Sequence, residues 1–135
     1  MSAVISLDRL TKRFGATEAV HELSLKVERG EMFGLIGPDG AGKTTTIRTI
    51  CGLQRPGKLD GGEVRVLGLD PVRDHRKITD SVGYLSQQFS LYGDLSVDEN
   101  IAFFAEIHGV RHFADARNRL LELTGLARFR GRLAQ

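Results

Sequence analysis

The stretch Gly37-Pro38-Asp39-Gly40-Ala41-Gly42-Lys43-Thr44-Thr45-Thr46 constrains this chain more than any other. Residues 37–44 fit the pattern GxxxxGK[ST]; the apolar run Met32-Phe33-Gly34-Leu35-Ile36 precedes them and a segment with helical spacing follows. A glycine-rich turn between a strand and a helix gathers backbone N–H groups and the helix N-terminus around one concave surface, which suits the oxygens of a polyphosphate. Glycine is needed there because a Cβ blocks that approach. A glycine turn with an adventitious lysine is the alternative, and the strand–loop–helix context argues against it.

The chain has 135 residues and is 41% apolar, enough for one domain with a core. A formal net charge of +2 gives no electrostatic case for nucleic-acid binding, and no direct nucleic-acid partner is expected. Cys51 is the only cysteine, which excludes an intrachain disulfide and fits a reducing compartment; a buried free thiol is expected. The start Met1-Ser2-Ala3-Val4-Ile5-Ser6-Leu7-Asp8 has neither a basic region nor a long apolar one, so it does not read as a secretory signal and a cytoplasmic protein is expected. No run approaches the roughly 20 apolar residues of a membrane-spanning helix, so any membrane connection is expected to come through a partner.

Val4–Leu7 and Ala19–Val27 flank a polar segment and read as antiparallel strands, the second alternating at Leu23, Leu25 and Val27. Met32–Ile36 is apolar without alternation, as a strand covered on both faces of a parallel sheet should be. Beyond Lys43, Ile47, Ile50, Cys51 and Leu53 recur at helical spacing, with Gly52 placed to stop the helix. Gln54–Gly62, with Pro56 and Gly57, is a loop by composition; Glu63–Gly68 is a strand, Asp74–Asp80 a short charged helix, and Val82–Ser86 a further strand ending at Gln87-Gln88. From Phe89 the character is helical. Ser96-Val97-Asp98-Glu99 is a capping box opening a helix through Val97, Ile101, Phe104 and His108 that ends at Gly109. A second helix carries Phe113, Ala116, Leu120 and Leu123 on one face and stops at Gly125.

Weaker features have simple readings. His108 and His112 share helical spacing, but Gly109 lies between them and no third ligand is evident, which argues against a metal site. Arg128, Arg130 and Arg132 form either a docking patch or, more simply, a solvated chain end. The Phe103-Phe104 pair reads as packing.

Taken together, Leu10-Thr11-Lys12-Arg13-Phe14-Gly15, the loop Gly37–Thr46, the block Gly61–Gly68, Gly83-Tyr84-Leu85-Ser86-Gln87 and Leu91–Asn100 closely resemble the nucleotide-binding domain of ABC transporters. The loop version here, with Phe89-Ser90-Leu91-Tyr92 further on, looks like bacterial multidrug-export and ribosome-associated ABC ATPases. The resemblance implies an α/β fold, a P-loop NTPase of ABC type, incomplete. It would comprise an antiparallel β subdomain and part of a parallel core sheet over residues 1–90, then the beginning of the helical subdomain over 91–135. ATP and Mg²⁺ are the implied cofactors. Gly37, Pro38, Asp39, Gly40, Ala41, Gly42, Lys43, Thr44 and Thr45 would wrap the phosphates. Lys43 would meet the β- and γ-phosphates, and the Thr44 hydroxyl would bind Mg²⁺. Phe14 would stack on adenine, unless it is a plain strand-end hydrophobe. Gln87 would reach Mg²⁺ and the attacking water, unless both it and Gln88 are loop surface. Asp39 stands where the family often has asparagine, on a side of the loop that would face a dimer partner.

The implied partners are a transmembrane permease domain or subunit and a second nucleotide-binding domain, head to tail, at the inner face of the cell membrane. Hydrolysis in the family also uses a signature loop, a Walker B aspartate, a catalytic glutamate and a switch histidine. Gly131-Arg132-Leu133-Ala134-Gln135 lies where the signature loop is expected next. The expectation is therefore the N-terminal part of a longer ATPase domain, inactive in turnover by itself. A vestigial nucleotide binder and a non-transport protein acting on ribosomes are the alternatives. In the family the Walker B and switch-histidine strands lie between the P-loop and Q-loop strands, so without them apolar sheet edges and one helix face stand open. The 135-residue chain is expected to be marginally stable. Cooperative thermal unfolding of a clean monomer, with native-like exchange protection at Met32–Ile36, overturns that expectation.

Overall fold

Two long strands, β1 (Ala3–Phe14) and β2 (Thr17–Glu28), form the first hairpin, with Gly15 at φ +59° supplying the positive φ that a two-residue hairpin turn needs. The computed structural model describes residues 3–54, 59–88 and 91–135. The loop read at Pro56 and Gly57 and the change of character at Phe89 lie outside the described residues. β1 is the centre of a three-stranded sheet of order β2-β1-β3, in which β3 (Gly61–Val66) also runs antiparallel to β1. Ile5 opposes Val27 on one side and Val66 on the other; Leu7 opposes Leu25 and Val64.

The polar segment expected between the first two strands is itself strand as far as Phe14. Strand pairing is a backbone matter, and hydroxyls repair it where the register slips. At the irregularity between Leu7 and Leu10, Arg9 has φ +48° and its N–H donates to Ser24 Oγ at 2.9 Å; the Glu22 N–H donates to Thr11 Oγ1 at 3.2 Å.

The chain divides into two compact units, Met1–Leu85 and Ser86–Gln135. In the first unit Leu7, Leu10, Val20, Val64, Val66 and Ile78 make the buried core, with Ile50 and Val82 packed against it. Ile78 comes from the short helix α2 (His75–Thr79) and Ile50 from α1 (Lys43–Ile50), so both helices contribute to the core of the antiparallel sheet. Neither Met32–Ile36 nor Val82–Ser86 forms a strand among the described residues. Met32, Ile36 and Leu85 are 99%, 95% and 92% exposed. A doubly covered strand needs neighbours on both edges and both faces, and the sheet β2-β1-β3 supplies none to these segments. Ile47, expected on the packed face of α1, is likewise exposed, while Thr46, Thr49 and Cys51 are buried.

The second unit contains α3 (Val97–Ile107) and α4 (Ala114–Leu123), followed by a 3-10 turn at Ala127–Phe129. The capping box is complete: Glu99 N–H donates to Ser96 Oγ at 3.3 Å and Ser96 N–H to Glu99 Oε2 at 2.8 Å. The Ser96 hydroxyl and amide hold the Glu99 carboxyl below its ordinary pKa. α1, α3 and α4 end alike, in Schellman closures at Gly52, Gly109 and Gly125, where the next amide reaches back to Arg48, Ala105 and Leu121 respectively. The buried side of α4 is rotated from the expected stripe: Leu121 is 2% exposed, while Leu120 and Leu123 are 57% and 74% exposed. Arg117, one turn before Leu121, turns the same way toward Asp98, with 3.8 Å between its Nη1 and Oδ2.

Arg130 is not solvated chain end. Its Nε donates to Asp98 Oδ2 at 3.0 Å, and Arg128 and Arg132 lie 4.7 and 5.9 Å from the Phe129 ring centroid. Phe103 meets Phe104 and Tyr92 edge-on at 5.5 and 4.8 Å, a packing role as read from the sequence. Asn100, 2% exposed, accepts from Tyr92 N–H at 2.9 Å and donates to the carbonyls of Tyr92, Leu95 and Ser96 at 3.0–3.2 Å. Asn100→Ala should therefore destabilise this unit by about 2–3 kcal/mol, because it strands buried backbone groups. Hydrogen exchange of the α3 amides as a function of denaturant measures it.

Candidate nucleotide site

α1 begins at Lys43, and its N-cap is Gly42 at φ +82°, ψ 7°. Gly42 is required twice. The left-handed conformation disfavours any side chain, and a Cβ would lie 2.1 Å from the Ala19 carbonyl oxygen and 3.0 Å from Val20 Cγ2. The loop is thus seated directly on β2. Thr46, 1% exposed, fixes the first turn from inside: its N–H and Oγ1 both donate to the Gly42 carbonyl, at 2.8 and 3.0 Å. Thr49 repeats the device, its hydroxyl donating to Thr45 O at 2.8 Å.

Lys43 turns back over its own loop. Its ammonium donates to the carbonyls of Gly37 and Pro38, both at 2.7 Å, and the Ala41 N–H closes the turn onto Pro38 O at 3.2 Å. Gly40, at φ +80°, completes the reversal. No side chain caps α1 and no acidic residue stands in its first turn, so the amides and positive end of the helix face an anion without competition. The ammonium at the loop can exchange carbonyl partners for phosphate oxygens without leaving its place. Thr44 is exposed beside it, Thr45 is half-buried, and Asp39 lies exposed in the loop. These residues fit a polyphosphate with a bound divalent cation.

Phe14 ends β1 opposite Thr17, two positions along β2 from the Ala19 carbonyl that abuts Gly42. About 7 Å of strand separates those two positions, so the aromatic strand end and the phosphate loop are neighbours. The ring is 49% exposed. Two residues beside it were not singled out in the sequence. Lys12, 8% exposed, places Nζ 5.6 Å from the Phe14 ring centroid and 3.4 Å from Asp60 Oδ2. Asp60 accepts the Arg13 N–H at 2.7 Å; that bond, with the Lys12 charge, holds its carboxyl below the ordinary pKa. The period of two that places Lys12 with Phe14 was visible in Lys12-Arg13-Phe14, but Asp60, 46 positions from Phe14, left no local signal.

Gln87 belongs to the second unit and is exposed, as is Gln88, whose carbonyl accepts the Ser86 hydroxyl at 2.8 Å. The structure therefore joins Phe14 to the loop within one unit and leaves Gln87 in the other. His108 caps α3 and His112, at φ +55°, sits in the connection to α4, both exposed.

A seated glycine loop, a lysine folded across it and an uncapped helix behind it define a P-loop nucleotide-binding protein. Comparison with known proteins narrows the class. The model of the ABC transporter family matches residues 20–135. The chain is 42% identical over 125 residues to the probable multidrug ABC transporter ATP-binding protein YbhF of Escherichia coli K12, covering 91% of this chain and 21% of that protein. It is 33% identical to the bacitracin transport ATP-binding protein BcrA of Bacillus licheniformis, covering 93% and 40%. A solved ATP-binding subunit of an ABC transporter superposes with a TM-score of 0.76 at 26% identity, over 96% of this chain and 54% of that one. The chain belongs to the ABC transporter family and has the fold of part of its ATP-binding domain.

Gly42→Ala tests the seating. Its methyl must displace either the Ala19 carbonyl or the loop, so a loss of at least about 2 kcal/mol in thermal or denaturant unfolding is expected, against a few tenths for Gly131→Ala in the second unit.

Proposed function

We propose that this chain binds ATP with Mg²⁺ as part of an ABC-type ATPase that couples ATP hydrolysis to transport across a membrane. The observation that carries the reading is the loop Gly37–Thr45 with the Lys43 ammonium held on the Gly37 and Pro38 carbonyls, inside a segment that matches the family throughout. Backbone N–H groups from Gly40 to Thr45 bind the β- and γ-phosphates; Lys43 neutralises them as a point charge. In the unit that carries the loop, the Thr44 hydroxyl is the group that would hold Mg²⁺, which would draw charge from the phosphates when bound. Phe14 stacks on the adenine.

The matched relatives are longer than this chain, which spans 21% of one and 40% of another. Hydrolysis, the transported substrate and the partners belong to that larger assembly. The partners proposed are a transmembrane permease and a second ATP-binding domain meeting the first head to tail, at the cytoplasmic face of the membrane. Among the described residues no helix is long and apolar enough to cross a membrane, so contact through a permease is the route this reading takes. A second reading, nucleotide binding without turnover, is favoured for this chain by itself by the exposure of Met32 and Ile36 just before the loop.

Lys43→Ala separates these readings. Loss of its charge-assisted bonds should weaken ATP binding about ten- to a hundredfold, measured by calorimetry or a fluorescent ATP analogue. Turnover by the wild-type chain that Lys43→Ala abolishes establishes an ATPase. Equal inactivity, with binding by wild type alone, establishes a binder; equal binding by both removes the phosphate-loop assignment.

A further inference from the structure

Lys12 is an uncommon occupant for its place. It lies on the central strand, 8% exposed, opposite Val20. Directly paired residues of antiparallel strands project to the same face, and Val20 Cγ2 is 3.0 Å from where a Gly42 Cβ would stand. The Lys12 side chain is therefore on the face of the sheet that carries the phosphate loop. An ammonium there loses most of its hydration, and an aliphatic residue would fill a strand interior without that cost. The carboxylate of Asp60, 3.4 Å away, offsets it in part. Asp60 is fixed in turn by the Arg13 N–H at 2.7 Å, and its own N–H donates to the Thr11 carbonyl at 3.1 Å. The result is a clamp on β1 from Thr11 to Arg13, immediately before Phe14, with Nζ 5.6 Å from the ring centroid.

We propose that Lys12 is a positioning residue for the base: anchored by Asp60, its ammonium takes one face of the Phe14 ring and fixes the ring so that the opposite face is presented to adenine. The inference rests on the ATP reading above and adds to it a residue that touches neither base nor phosphate. A ring at a half-exposed strand end otherwise samples several orientations, and ordering it is part of the cost of stacking. A cation held against one face selects the orientation in advance.

The test compares ATP with inorganic tripolyphosphate, which has the phosphates and no base, on the full chain. Lys12→Met, which keeps the stem, and Asp60→Asn should each weaken ATP about three- to tenfold and leave tripolyphosphate unchanged; Lys12→Arg should restore ATP binding. Tripolyphosphate binding also reports that each variant is folded. Equal loss for both ligands overturns the proposal, since it marks a charge acting on the phosphates or a damaged fold, and so does an unchanged ATP affinity. Phe14→Ala separates the two levels. If it lowers ATP affinity while Lys12→Met does not, this proposal alone fails. If Phe14→Ala leaves ATP no weaker, or wild type binds neither ligand, the underlying reading fails and takes the proposal with it.

Discussion

The contact between Gly42 and β2 is where the site and the fold become one thing. A helix N-terminus attracts anions only if it is held open and aimed, and a flexible glycine loop by itself does neither. Here the backbone of the loop rests against the Ala19 carbonyl and the Val20 side chain at a distance that admits no Cβ. The buried hydroxyl of Thr46 ties the following turn to the same point. The consequences run outward along β2. Val20 belongs to the core with Leu7, Leu10 and Val64, and Phe14 is set by its pairing two positions beyond Ala19. Loop placement and core packing are therefore coupled through one strand.

What the sequence disclosed about this region followed from local patterns. The loop is a short motif with a fixed backbone requirement, and the glycine stops at Gly52, Gly109 and Gly125 each act on the helix directly before them. The Ser96–Glu99 box was legible for the same reason: both partners lie within one turn. The errors fell where tertiary context decides. Thr11 and Lys12 look like loop residues, yet pairing with β2 and β3 and a carboxylate from a distant loop make them strand. α4 buries Leu121, and Arg117 one turn earlier lies on the same side, near Asp98 of another helix. No period in the sequence encodes that.

The strand expected at Met32–Ile36 teaches the opposite lesson. Its composition is that of a segment covered on all sides, but composition states a requirement and does not meet it. The sheet present here is antiparallel and ends at β2 and β3. The run just before the phosphate loop is left with Met32 and Ile36 almost wholly in solvent. The loop is thus held firmly from its helical side, through Gly42, and weakly from the other.

The second unit closes on itself. Ala134 N–H bonds to the Leu95 carbonyl, Val97 N–H to Arg132 O and Asp98 N–H to Arg130 O, with the Arg130–Asp98 bond alongside. The residues that open α3 are therefore hydrogen-bonded to those that follow the 3-10 turn. A stretch tied at both ends in this way tolerates change in the connection it encloses, because the tie does not depend on the length of that connection. The turn between α3 and α4 can therefore vary while the Ser96 cap and the bonds of Asn100 stay in place.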